Sequence, residues 1–188
     1  MIATLQLPNG VKFERRPKLT PDQKREAIKR RDRECESRAL WAEFTAELHN
    51  RTEGRHESGA FLLGRKSGIE REATAVIYYD DLDPRAYHTG VCILHADAFG
   101  RLWDRCAALG LSVVADAHVH GLGVGQSRSD RENPMIARPG HLALIFPLMA
   151  RPPIRRWSVG VYEYLGDHQW RAHGGRHVLR VLKIEDDR

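Results

Sequence analysis

The segment spanning residues 111–120, with the sequence LSVVADAHVH, constrains the fold more than any other part of the chain. Its odd-numbered positions are all apolar, whereas Asp116, His118 and His120 occupy even-numbered positions. Alternation with a period of two predicts a β-strand that buries one face. Because residues i and i+2 of a strand point to the same side, His118 and His120 are predicted to project side by side near the end of this strand.

Two long helices are predicted upstream of the histidine strand. The first begins with Thr20 as N-cap and Pro21 at the first position, and it continues with interruptions to about residue 48. The second covers residues 95–109 and ends at Gly110. Four apolar residues are predicted to form the buried face of the first helix: Leu40, Trp41, Phe44 and Leu48. Four others are predicted to do so in the second: Leu94, Ala98, Leu102 and Cys106.

Shorter apolar runs predict further strands. They cover residues 58–63, 72–79, 91–93, 141–146, 157–164, 169–173 and 178–184, with a turn at 66–68 between the first two. This order of helices and strands predicts an α+β (α/β-type) domain with a mixed central β-sheet flanked by helices.

Residues 1–38 are predicted to form an extension of a single domain that spans residues 39–188. Residues 2–13 predict a small hairpin around the turn sequence Pro8-Asn9-Gly10. A strongly charged run follows from 14 to 38. Such a run is typical of a solvated helix face, and docking of an acidic protein partner is the alternative.

Composition narrows the classes of ligand and location. The chain has 188 residues and a net charge of +5, but its basic residues are spread out and do not interleave with aromatic residues, so nucleic acid is not expected as a ligand. Cys35, Cys92 and Cys106 form no C-x-x-C pair, which indicates reduced thiols. Because no apolar run approaches roughly 18 residues and the first residues lack a signal-peptide pattern, we expect a cytoplasmic protein that does not enter membranes.

His118, His120 and Asp130 are the candidate metal ligands. Two imidazoles and one carboxylate are a typical ligand set for catalytic zinc, which leaves a fourth position for water. Zinc makes that water more acidic and polarises a carbonyl group. Such a site also requires a base.

A further set of residues resembles a known family. Glu57 begins the segment ESGAFLLG, the H-x-H pair follows, and Ser127-Arg128-Ser129-Asp130 supplies an S-x-x-D motif. This ordered set resembles the JAMM (JAB/MPN) metalloproteases, over roughly residues 40–165, and the downstream Asn133-Pro134-Met135 is similar to their bacterial members. The chain differs from the family in having Val119 between the histidines, Gly121 after them, and nine residues between His120 and Asp130.

The resemblance implies a fold and a function. An MPN/JAB-like domain is expected, with Zn²⁺ bound by His118, His120 and Asp130, Glu57 as the general base, and Ser127 as the hydrogen-bond donor to the oxyanion. The implied activity is that of a zinc metalloprotease, a deubiquitinase-like isopeptidase or peptidase that cuts after the C-terminal tail of a ubiquitin-like protein. Such a protein, its conjugates, and E1-like and E2-like enzymes are the implied partners. The alternatives are a non-catalytic MPN scaffold and an enzyme that processes a sulfur-carrier protein.

Several of these residues also have structural interpretations. Ser129-Asp130-Arg131-Glu132 fits a capping box, so Ser129 is predicted to cap a short helix, which leaves Ser127 for catalysis. Asp116 could accept a hydrogen bond from a ligand histidine, but a solvated or turn-binding aspartate is the interpretation we favour.

Two other patterns are weaker. Gly121, Gly123 and Gly125 are spaced as in a phosphate-binding loop, but the lysine of a P-loop is missing. A second metal site could be formed by three later histidines, although we interpret them as exposed loop residues: His168, His173 and His177.

Overall fold

A six-stranded mixed sheet forms the centre of the computed structural model, which describes residues 20–68 and 70–183, with the backbone alone for 27–38. The strands are β1 (Gly59–Ser67), β2 (Glu70–Tyr78), β3 (Ser112–Val119), β4 (Leu142–Phe146), β5 (Gly160–Gly166) and β6 (Gln169–His173). They lie in the order β2-β1-β3-β4-β5-β6. Of the described strands, β3 and β4 form the one parallel pair, and every other neighbouring pair is antiparallel. The predicted mixed sheet is confirmed.

Five α-helices accompany this sheet in the described chain. They are α1 (Pro21–Asn50), α2 (Tyr79–Leu82), α3 (Ala96–Leu109), α4 (Arg128–Glu132) and α5 (Val178–Val181). The predicted start of α1 is confirmed, because the Thr20 hydroxyl accepts from the Gln23 amide while the Gln23 side chain accepts from the Thr20 amide. Helix α1 runs without interruption past residue 38, and none of the described helices is long and apolar enough to cross a membrane.

Helices α1 and α3 cover opposite faces of the sheet. Trp41, Phe44 and Leu48 of α1 pack against Phe146 and its neighbours, whereas the apolar face of α3 packs against Phe61 and its neighbours. The prediction was wrong for Leu40, which is 65% exposed because it lies beside the face of α1 that contacts the sheet. Gly110 ends α3 as predicted, with a φ of 62°.

The sheet differs from the sequence prediction in four places. Strand β3 is buried on both faces because it is central, with a helix on either side. Residues 91–93 lie in a loop, and 156–158 form a 3-10 turn before β5. Residues 178–181 are helical, because a short apolar run does not by itself distinguish a strand from a buried helix. The predicted hairpin at 2–13 lies outside the described residues.

Strands β1 and β2 approach each other closely at Gly64. A Cβ atom at this position would lie 1.7 Å from the backbone oxygen of Glu72. Replacement of Gly64 by alanine is therefore expected to lower the free energy of unfolding by about 1–3 kcal/mol, measured by urea denaturation. A Cβ atom at Gly100 in α3 would meet no described atom within 4 Å, so Gly100→Ala should raise the free energy of unfolding by about 0.5–1 kcal/mol. If both variants shifted the urea midpoint in the same direction, the close contact assigned to Gly64 would be contradicted.

Candidate metal centre

The end of β3 positions the two histidines. His118 pairs with Gly59 of β1 and with Ile145 of β4. His120 follows the last residue of the strand, and its amide donates to the carbonyl oxygen of Phe146 over 2.8 Å. Backbone pairing therefore fixes both imidazoles at one edge of the sheet, and they project to the same side as predicted, with a distance of 3.1 Å between their Nε2 atoms.

Helix α4 brings Asp130 to these imidazoles. The Ser127 hydroxyl accepts from the Asp130 amide over 3.1 Å, and the Asp130 carboxylate accepts from the Ser127 amide over 2.6 Å. This reciprocal pair is a capping box. The predicted cap at Ser129 was wrong, because the helix begins two residues earlier than that motif requires. Asp130 thus completes the cap of α4 and also faces the two histidines.

The three side chains form a candidate metal-binding group. Asp130 oxygens lie 3.5 Å from His118 Nε2 and 3.3 Å from His120 Nε2. Ligand atoms about 2.0–2.2 Å from a tetrahedral zinc ion are separated by roughly 3.3–3.6 Å. The two separations from Asp130 match this spacing around one small cation, and the 3.1 Å between the two Nε2 atoms is slightly shorter. This is the one group of three or more possible ligands found among the described residues, and it does not include His168, His173 or His177.

The electrostatics of the group favour a cation. Burial by itself would raise the pKa of the Asp130 carboxyl group, but hydrogen bonds from His118 and His120 hold it well below its usual range. Burial would lower the pKa of His118, yet the hydrogen bond and charge of Asp130 raise it above its usual value. Asp130 is therefore ionised near neutral pH, and it attracts a positive charge to the space between the rings.

Glu57 lies at the margin of the metal group. Its Oε1 atom is 3.9 Å from His120 Nε2. The Glu57 amide donates to the Gly90 carbonyl over 2.9 Å, and the other carboxylate oxygen accepts from the Cys92 amide over 3.4 Å. The loop after α2 therefore holds Glu57 beside the ligands. Burial and then the charge of Glu57 raise the pKa of the Cys92 thiol well above its usual value, so this thiol is protonated.

The structure places Ser127 at the same edge, where it is exposed and caps α4. Its oxygen accepts from the Asp130 amide, while a hydroxyl group retains a proton that it can donate elsewhere. The capping role is compatible with donation to a developing negative charge.

Sequence reasoning missed a buried pair behind the metal group. His141 Nε2 lies 2.6 Å from Asp116 Oδ1, and both residues are almost fully buried. The prediction of a solvated or turn-binding Asp116 is therefore wrong, and its partner is not a candidate ligand histidine either. Because Asp116 pairs with Ala143 across the parallel β3-β4 contact, the pattern of β3 alone could not reveal its partner at the start of β4.

Asp83 anchors the loop that holds Glu57. Its buried carboxylate accepts from His95 Nδ1 over 2.5 Å and from the amide and Nε of Arg85 over 3.0 and 3.1 Å. Burial alone would raise the pKa of Asp83, but the hydrogen bond from His95 and those from Arg85 lower it below its usual range. A carboxyl group whose pKa is lowered in the folded state stabilises the protein at pH values above its pKa in the unfolded state. This stabilisation is lost as the pH falls towards the pKa in the folded state.

Replacement of Asp83 by asparagine is therefore expected to lower the free energy of unfolding at pH 7 by about 1.5–3 kcal/mol, the range for hydrogen bonds to charged groups. The difference from the parent should narrow below about pH 4, as shown by urea unfolding at several pH values. Asp104→Asn, at an exposed position of α3, should leave stability unchanged. A difference that stays constant with pH would contradict the assigned role.

Comparisons with solved structures yield likenesses in fold. No protein-family model matches the chain. A solution structure of a protein from Desulfitobacterium hafniense aligns over 64% of this chain and 77% of its own, with 18% identity and a TM-score of 0.47. A second, from Salinibacter ruber, aligns over 69% and 84%, with 18% identity and a TM-score of 0.43. Function is therefore inferred from the motifs and geometry of this chain.

Proposed function

We propose that the protein is a zinc-dependent peptidase or isopeptidase of the JAMM (MPN) type, which hydrolyses the bond after the C-terminal tail of a ubiquitin-like protein. The observation that carries the proposal is the convergence of His118, His120 and Asp130 within the spacing of one zinc ion, with Glu57 beside them. A structural histidine pair would not require a second carboxylate at its margin.

The donor set is suited to zinc. Two neutral imidazoles and one carboxylate leave a further coordination position, and a bound zinc ion would supply Lewis acidity and acidify water. The partly exposed side chains of His120, Asp130 and Glu57, at 15%, 20% and 21%, keep that side of the group open to solvent and substrate.

Glu57 and Ser127, which lie beside the metal group, would carry out the proton transfers and stabilise the oxyanion. Glu57 accepts a proton from the attacking water at a carboxylate oxygen and returns it to the departing amine, the two transfers that amide hydrolysis needs. The Cys92 amide holds the other Glu57 oxygen, which directs the free oxygen towards His120. Ser127 donates a hydrogen bond from its hydroxyl group to the oxygen that develops negative charge.

The substrate class rests on the family resemblance and agrees with the architecture. A ubiquitin-like tail is an extended peptide, and extended peptides bind by adding to the edge of a sheet. Within the described chain, β2 and β6 each pair on one side only, so both present a free edge. The tail would add to one of these edges with its end directed to the metal group.

The test is zinc content together with cleavage of ubiquitin-like fusions. Purified protein should contain about one zinc per chain and cleave at the end of the tail, a chelator should abolish turnover, and added zinc should restore it. Linear fusions, isopeptide conjugates and sulfur-carrier fusions distinguish the substrates. Zinc-free protein would favour the scaffold alternative, and full turnover after removal of zinc would refute the proposal.

A further inference from the structure

A small cavity lies at the opposite end of β3 from His120. Its volume is about 190 Å³. It lies between the start of β3, helix α3 and the segment before β4, and the residues that line it include Lys66, Trp103, Cys106, Ile136, Arg138 and His141. This volume is below the roughly 300–1,000 Å³ of drug-sized sites, so the cavity suits a small ligand or one end of a larger one. It shares no residue with the candidate metal group.

Two cations, Lys66 and Arg138, line this cavity, and a third, Arg71, lies next to them. Lys66 lines it, and Arg71 occupies the position directly opposite Lys66 in the β1-β2 pair, where cross-strand neighbours share a face. Arg71 donates to the Gly140 carbonyl oxygen, which brings its guanidinium group towards the segment that carries Arg138. Within residues 20–68 and 70–183, no carboxylate forms an ion pair with Lys66, Arg71 or Arg138.

The cations affect one another. Lys66 and Arg138 are exposed, but partial burial lowers the pKa of Lys66, and the charges of Arg71 and Arg138 lower it further. Repulsion among like charges without a neutralising group is unfavourable, and an anion placed among them would relieve it. Moreover, Arg71 Nε is buried and has no hydrogen-bond partner in the described structure. Arg71 therefore has an N–H donor available for an anionic acceptor.

The other side of the cavity is apolar. Trp103, Leu111 and Ile136 line it. Trp103 lies in the middle of the α3 sequence and is 48% exposed. A half-exposed indole beside a cavity offers a flat surface to a ligand. The cavity thus combines a cationic side with an apolar side, which suits a molecule that has an anionic group at one end and an apolar group at the other.

We propose that this cavity binds a phosphate monoester whose alcohol portion is a small aromatic or apolar group. The phosphate would lie among Lys66, Arg71 and Arg138, because guanidinium groups match phosphate oxygens in pairs and an ammonium adds a point charge. The alcohol portion would lie against Trp103. This site is independent of the proposed peptidase activity, since the two use different residues at opposite ends of β3.

Phenyl phosphate is the probe for this proposal, with inorganic phosphate as the comparison. Titration at low salt should give a saturable change in tryptophan fluorescence and an increase in Tm, and Trp103→Phe should remove most of the fluorescence change. The double variant Lys66→Met/Arg138→Met should bind at least about tenfold more weakly. Arg65→Met is the matched control, because Arg65 precedes Lys66 on the same strand and successive side chains point to opposite faces.

The outcomes are distinct. Urea unfolding of each variant establishes that it is folded before binding is measured. Absence of saturable binding up to about 10 mM phenyl phosphate, or equal affinity in the double variant and the parent, would overturn the site. Equally tight binding of inorganic phosphate would overturn the ligand class. Loss of affinity in the double variant with full affinity in Arg65→Met would support both.

Discussion

Replacement of Glu57 by glutamine is expected to lower kcat for cleavage of a ubiquitin-like fusion by about 10²–10⁴-fold, the usual contribution of a general base, while the zinc content stays at the parent level. Glutamine keeps the size of the side chain and an oxygen that can accept from the Cys92 amide. It cannot take a proton from water near neutral pH. Steady-state kinetics and metal analysis of the same preparation measure the two effects separately.

Glu53→Gln is the matched control for this variant. Glu53 lies four residues earlier in the chain, is exposed, and forms an ion pair with Arg55 away from the histidines. The same change of charge at Glu53 should leave both kcat and zinc content unaltered. Normal turnover in Glu57→Gln would show that another group moves the proton, and loss of zinc would show that Glu57 is a ligand.

Asp130→Ala is expected to weaken zinc binding by more than about 100-fold, beyond the 10–100-fold typical of residues that only orient the ligands. The reason is that Asp130 has two roles. Its carboxylate faces both imidazoles, and it also accepts from the Ser127 amide at the start of α4. The change should therefore also loosen α4, which competition with a chromogenic chelator and limited proteolysis can measure together.

Two further variants separate these roles. Asp130→Asn keeps an oxygen for the Ser127 amide but loses the charge, so α4 should stay ordered while zinc binding weakens. Ser127→Ala removes the cap and should cost about 0.5–2 kcal/mol of stability with zinc retained. Zinc affinity in Asp130→Ala equal to that of the parent would remove Asp130 from the proposed ligand set.

Local patterns predicted the parts of the fold that depend on neighbours in sequence. The strand at β3, the cap at Thr20 and the stop at Gly110 are set by the residues themselves, and each is present in the structure, although β3 is buried on both faces rather than one. The proximity of His118 and His120 follows from the geometry of any strand. Asp130 is near in sequence as well, so its approach to the histidines required only that the intervening loop fold back.

Contacts between distant segments were not predictable in the same way. The choice between Ser127 and Ser129 as N-cap depends on where the loop returns to β3, since both begin an S-x-x-acid motif. The Asp116-His141 pair depends on the parallel pairing of β3 with β4, which the pattern of neither strand reveals. Residues 178–181 became helical as Val178 packed against the α1 side of the core.

The parallel pairing of β3 with β4 determines how this chain can diversify. The C-terminal ends of parallel strands lie at the same end of a sheet, so after β3 the chain must return to the opposite end before β4 can begin. Residues 120–141 make this return, and they carry Ser127 and Asp130 on the way. Within this connection, the Val124 carbonyl oxygen accepts a hydrogen bond from the Tyr162 hydroxyl of β5 over 2.8 Å, which holds the connection against the sheet. Replacements at the exposed positions of this connection can therefore alter the surroundings of Asp130, while the sheet keeps the two histidines in place.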